Sequence, residues 1–157
     1  MMEINDILVK GITDEFAHVS PKKALNNLTA ELARKRPNGI THSCWEQLHH
    51  IVIWQEPLIE ALKGNEIDWE YAKQNEWPSE EIMKDDSEWE KLVSRFFDGL
   101  AETEDVIKDL DLSVNIPAWP KESMVYAGMM LVLHNSYHIG QIVTTRMALD
   151  VWPPTEA

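Results

Sequence analysis

Apolar residues recur at three-and-four spacing in four stretches of the chain, and each stretch predicts an amphipathic helix. Residues 3–17 place Ile4, Ile7, Leu8, Ile12 and Phe16 on one side. A second helix is expected from Cys44, where Ser43 and Glu46 have the spacing of a capping box: the serine oxygen accepts a backbone N–H and the glutamate reaches back to the cap. It carries Leu48, Ile51, Val52, Leu58, Ile59 and Leu62 and stops at Gly64, which tolerates the left-handed conformation past a last turn. Pro57 lies inside this helix, lacks an amide proton and crowds the carbonyl of Ile53, so a bend is expected there.

Ser87 and Glu90 suggest a second capping box, followed by Leu92, Val93, Phe96, Phe97, Leu100, Val106, Ile107 and Leu110. A long helix follows from about Glu122 to Leu149, uninterrupted by proline and apolar around most of its circumference. Ser20 caps a short helical piece that opens with Pro21. Residues 36–41, 65–86 and 111–120, rich in Pro, Gly, Asn and Trp, read as loops, with a short turn near Ser79 to Met83. No two-residue alternation or hairpin turn stands out, so strands are not expected. The fold class that follows is all-α: four helices in one bundle.

With 157 residues, one domain spanning 1–157 is the natural partition. Lys plus Arg number 14 against 27 Asp plus Glu, a formal charge of −13 that repels a polyanion and argues against nucleic acid as a partner. Met124 to Tyr137, the stretch tested as a span within a longer run free of Asp, Glu, Lys and Arg, is 14 residues, short of the roughly 20 a bilayer requires, so no membrane span is expected. The N-terminus carries Glu3 and Asp6 where a signal peptide has basic residues. Cys44 is the only cysteine, which precludes an intrachain disulfide and a cysteine-based zinc cluster, and a cytoplasmic address is expected. Cys44 itself reads as a small buried hydrophobe rather than a nucleophile, despite its place at a helix start.

Six histidines carry the candidate chemistry: His18, His42, His49, His50, His134 and His138. His134 and His138 lie four residues apart on the last helix, a spacing that lets two imidazoles share one metal ion. An isolated pair of this kind is more often one hydrogen-bonded core histidine and one surface residue, so a third ligand decides the matter. Bundles build such sites from facing helices, and the second helix offers His49 and His50. Periodicity does not choose between them, because both lie off the centre of the stripe defined by Leu48, Ile51, Gln55 and Leu62.

Two blocks of sequence carry a family resemblance. His42-Ser43-Cys44-Trp45-Glu46-Gln47-Leu48-His49-His50, continuing to Trp54-Gln55, resembles the H-S-x-W-x-x-L-x-H signature of the DinB-like (YfiT-like) metalloenzymes. His134-Asn135-Ser136-Tyr137-His138-Ile139-Gly140-Gln141 resembles the H-N-x-Y-H-x-G-Q of their last helix. His18-Val19-Ser20-Pro21 and Arg36-Pro37 extend the likeness over nearly the whole chain; Cys44 and Pro57 depart from the familiar residues without touching the histidine pattern. The resemblance implies a four-helix bundle of atypical helix order and puts the family's metal-binding histidines on His50, His134 and His138.

Three imidazoles leave a further coordination position open to water or substrate, and imidazole suits zinc or nickel among several divalent ions. Relatives with known activities include S-transferases that use bacillithiol or mycothiol, a maleylpyruvate isomerase among them. The expectation is therefore one divalent ion per chain, a low-molecular-weight thiol cosubstrate, and transfer of that thiol to an electrophilic small molecule. A metal-dependent hydrolase is the runner-up chemistry, and a damage- or stress-induced metal-binding bundle without catalysis the rival of another class. Tyr137 and Gln141 either orient a bound group or simply pack and fill a buried polar gap. The seven tryptophans either line an apolar pocket or anchor core and loops. A homodimer is the expected state of so small a bundle.

Overall fold

A computed structural model describes residues 3–14 and 17–154. The chain forms α1 (Ile4–Thr13), α2 (Pro21–Leu25), α3 (Ala30–Ala33), α4 (Cys44–Leu62), α5 (Trp69–Gln74), α6 (Asp86–Lys108), a two-stranded hairpin of β1 (Asn115–Ile116) and β2 (Trp119–Ser123), and α7 (Met124–Ala148). It is an all-α fold apart from the hairpin. The four longest helices close a ring in which α4 packs against α6 and α7, and α1 against the same two helices from the other side.

The punctuation of α4 forms as its sequence dictates. Ser43 Oγ accepts the Glu46 N–H (3.3 Å) and Glu46 Oε2 accepts the Ser43 N–H (2.7 Å). At the other end Gly64 has φ +79°; its N–H bonds Ala61 O (3.0 Å) and the Asn65 N–H bonds Glu60 O (2.9 Å), the paired pattern of a Schellman stop. α4 continues through the buried Pro57 to Leu62.

Four expectations are corrected. The first helix ends at Thr13, and the expected Phe16 contact lies outside the described residues. α6 starts at Asp86, two residues ahead of the expected box: Asp85 caps it, accepting the Ser87 N–H at 2.9 Å, because a short 3₁₀ turn at Ile82–Lys84 delivers an aspartate to the cap before Ser87 arrives. The stretch 65–86 holds α5, whose N-cap Asp68 accepts the Tyr71 N–H at 2.8 Å. Finally, strands are present. β1 and β2 pair antiparallel across Pro117-Ala118, too short to show alternation, and are held by burial of Ile116 rather than by length. Glu122 and Ser123 belong to this hairpin, so α7 begins at Met124.

A buried polar bridge sets the axial register of the helices that matter for function. Asn135 Nδ2 on α7 donates to Gln55 Oε1 on α4 (2.9 Å), and Gln55 Nε2 donates to Phe96 O on α6 (3.2 Å). Gln55 is fully buried and Asn135 nearly so, so slippage of α4 along α7 would strand several polar groups without water. With that register, the turn of α4 that carries His50 faces the turn of α7 that carries His134 and His138.

Candidate metal centre

The start of α4 is held by more than its cap. Glu46, which closes the capping box, also accepts two hydrogen bonds from Arg36, Nε to Oε2 at 2.8 Å and NH2 to Oε1 at 2.7 Å. Arg36 reaches on to Glu80 (3.0 Å), tying the loop before α6 to the same point. Burial pushes the Glu46 carboxyl up, but the Arg36 guanidinium and the Ser43 N–H and hydroxyl outweigh it and hold the group below its ordinary value. A rigid first turn of this kind fixes where the next turn aims its side chains.

That next turn carries both histidine candidates, and they part company. His49 Nε2–H donates to the Asn75 carbonyl at 2.9 Å, beyond the end of α5. His50 points to α7: its ring centroid lies 5.1 Å from that of His134 and 4.5 Å from that of His138, which are 4.6 Å from each other. One nitrogen from each of the three rings lies within 4.8 Å of the others, close enough to share one ion. Nδ1 of His50 and Nδ1 of His134 are buried without a hydrogen-bond partner. Orphaned buried nitrogens are costly, and with one nitrogen of each ring converging on the others the donor set fits a divalent metal.

The third ring is oriented by a residue that sequence reasoning did not single out. His138 Nδ1–H donates to Gln47 Oε1 at 2.7 Å, which fixes the tautomer and leaves the Nε2 lone pair for a ligand bond. Gln47 and His138 are 4% and 8% exposed, so no water readily replaces that contact. Gln47 stands three residues before His50, one turn back on the same face of α4, and that spacing is the signal that could have found it.

The rings are tuned to the neutral, ligating form. Burial lowers the His134 pKa to about 4, reinforced by His138 and His50. Burial and the nearby His50 likewise lower His138 to about 4, against a smaller opposing contact from Gln141. His50 is lowered too, chiefly by burial, with Glu76 opposing. At neutral pH an incoming cation therefore displaces no proton from these rings.

Aromatic rings enclose the cluster. Trp77 stacks on His50 (4.6 Å, 18°) and on His42 (3.9 Å, 6°), and Trp54 lies 6.2 Å from His50. Tyr137 meets His138 edge-on at 5.0 Å while remaining 65% exposed. From Trp54 a file of rings runs through Trp69 and Trp119 to Tyr126. A cleft of about 390 Å³ adjoins the cluster through Gln47 and Gln141 and is walled by Gly39 to His42, Thr144 and Thr145.

The remaining histidines stand outside. His18 Nδ1–H donates to Val19 O, and its Nε2 lies 2.8 Å from the Ser136 hydroxyl. Cys44 is buried, its Sγ 3.7 Å from Ile142 O, and burial pushes its thiol up to about 12. The helix-start position does not activate it, because lost hydration outweighs the backbone dipole.

A helical bundle with a convergent histidine triad between its second and last long helices is the class of protein these observations define. The chain belongs to the DinB superfamily, whose family model matches residues 9–142. Searches of curated proteins and of solved structures return no match. No helix among the described residues is long and apolar enough to cross a membrane.

Proposed function

We propose that the protein is a metal-dependent enzyme that transfers a low-molecular-weight thiol to an electrophilic small molecule, with His50, His134 and His138 as the metal ligands. The observation that carries this reading is the convergence of three neutral imidazoles, joined among the described residues by no carboxylate or thiol. A divalent ion held by such a set keeps its full charge and supplies a Lewis acid that lowers the pKa of a bound thiol or water.

The chain's own groups define the rest. Gln47 holds the His138 ring, the Trp54 and Trp77 rings keep the surroundings of low polarity, and the adjoining cleft offers amide and hydroxyl groups of Gln47, Gln141 and Thr144 to a small polar ligand. In the overall reaction the thiol proton passes to solvent, a carbon–sulfur bond forms, and the electron pair displaced at the electrophile leaves with its leaving group or stays as a carbanion that is then protonated. The ion would activate a bound thiol and a bound water alike, and thiol transfer is chosen over hydrolysis on the likeness of the two histidine blocks to those of thiol-transferring DinB-like proteins.

The test is proton release. Cobalt-loaded protein mixed with a small thiol, at a pH below that thiol's own pKa, should liberate about one proton per site and shift the cobalt spectrum, while metal-free protein does neither. A spectrum indifferent to every thiol tried, with ester or amide hydrolysis instead, would transfer the assignment to a hydrolase. No response to thiol or hydrolysable substrate would leave a non-catalytic metal-binding bundle.

A further inference from the structure

The outer face of α7 is the least ordinary surface of the molecule. A surface helix of a bundle normally turns charged residues to solvent. Along α7 (Met124–Ala148) the only Asp, Glu, Lys or Arg is Arg146, and that side chain is 1% exposed, donating to Ala24 O and Val151 O. What faces outward instead is Tyr126, Met129, Leu133, Tyr137, Gly140, Thr144 and Met147, with Leu133 62% and Met147 53% exposed. Positions 126, 133, 140 and 147 repeat every seven residues, as do 130, 137 and 144, which is the seam of a helix that packs along a second helix.

We infer that this face docks against the same face of a second copy of the chain, the two α7 helices running antiparallel about a two-fold axis that passes between Ser136 and Tyr137. The pairing follows from the residues. In that register Leu133 of one copy lies opposite Gly140 of the other and the reverse, and Tyr126 lies opposite Met147. The space above Gly140 is open, so the most exposed aliphatic knob meets the one hollow in the stripe, twice over, as an isologous interface requires.

Three arguments select a second copy over other occupants. With free side chains of this size presenting about 150–250 Å² each, the exposed parts of the five large residues amount to roughly 550 Å² per copy, at most about 1,100 Å² for the pair, which reaches the ~1,000 Å² lower bound of a specific interface. The chain carries −13, so two copies repel through their other faces and approach favourably only where acid is absent, whereas a cationic protein partner would seek those acidic faces. An anionic lipid surface is disfavoured by the same charge, and the stripe has no Lys or Arg to compensate. His134 and His138 lie on the flank of this stripe, and Tyr137 belongs to both, so the interface would form one wall beside the histidine cluster.

Sedimentation equilibrium of the untagged chain across the micromolar range should show a dimer. Leu133→Glu should raise the dimer Kd by about a hundredfold or more, since each copy inserts an unpaired carboxylate, with helicity unchanged and a thermal midpoint that no longer rises with protein concentration. Met147→Glu, at the far end of the stripe, does the same should Leu133→Glu fold poorly. Leu133→Ala and Gly140→Leu should each weaken the dimer, and the double variant, which exchanges knob and hollow, should restore it. A monomeric wild type, a dimer that survives both glutamate variants, or a double variant no tighter than its singles would overturn the proposal.

Discussion

Replacing Gln47 by leucine removes one hydrogen bond and little volume, and its consequences can be worked from the contact itself. The bond from His138 Nδ1–H to Gln47 Oε1 is 2.7 Å long and joins two residues that are 8% and 4% exposed. With leucine in place, the imidazole N–H keeps its desolvated position and loses its acceptor, at a cost of about 1–3 kcal/mol to the metal-free protein, partly offset by the added apolar burial. The second effect falls on the site. A ligating ring released from its orienting partner typically loses 10–100-fold in metal affinity, about 1.4–2.7 kcal/mol. Gln47→Glu is the informative companion: it preserves an acceptor and adds charge, so zinc affinity should match or exceed that of the wild type. The assay is competition for zinc against a chromophoric chelator, alongside urea denaturation of the metal-free forms. A leucine variant that binds zinc within about twofold of the wild type would refute the orienting role of Gln47.

Three further outcomes are expected. Gly99→Ala should destabilise by about 1–3 kcal/mol in urea melts, despite alanine's better helix propensity, because its Cβ would stand 2.0 Å from Gln55 Nε2 in the bridge to Phe96 and Asn135; a neutral or stabilising result would show that the bridge yields. Cys44 should resist a chromogenic disulfide reagent until the protein unfolds, as its thiol is buried with its pKa pushed up to about 12; labelling of native protein within seconds would contradict this. Glu46→Gln should cost stability only above the acid range: a carboxyl with a depressed folded-state pKa binds its proton first in the unfolded chain. The difference between wild type and variant should hold above the ordinary value of 4.5 and shrink as pH falls through the folded value, whereas a difference independent of pH would remove the ion pair with Arg36 from the account.

Much of this architecture was legible because it rests on local chemistry. Ser43, Glu46 and Gly64 state the ends of α4 within a few residues of each, and the three-and-four stripes identify the four long helices. What escaped the sequence depends on contacts distant along the chain or on competition between near-equal signals. Asp85 and Ser87 are both competent caps, and the 3₁₀ turn at Ile82–Lys84 decides between them. The hairpin at 115–123 is too short to alternate and exists because Ile116 finds a buried seat. Within the candidate site, the pair His134 and His138 is visible as a spacing on one helix. Periodicity does not choose His50 over His49, because their difference rests on Asn75, 26 residues away, engaging His49; only the family motif pointed to His50. The role of Gln47 is only hinted at by its place one turn before His50, since its partner lies 91 positions further on.

The central claim is that His50, His134 and His138 together hold one divalent ion, and elemental analysis tests it most directly. Untagged protein, reloaded with zinc and freed of excess by dialysis, should carry about one ion per chain. His50→Ala, His134→Ala and His138→Ala should each lose the ion while staying folded, and His49→Ala should keep it. Stoichiometric metal retained by His134→Ala, or lost from His49→Ala and kept by His50→Ala, would contradict the account.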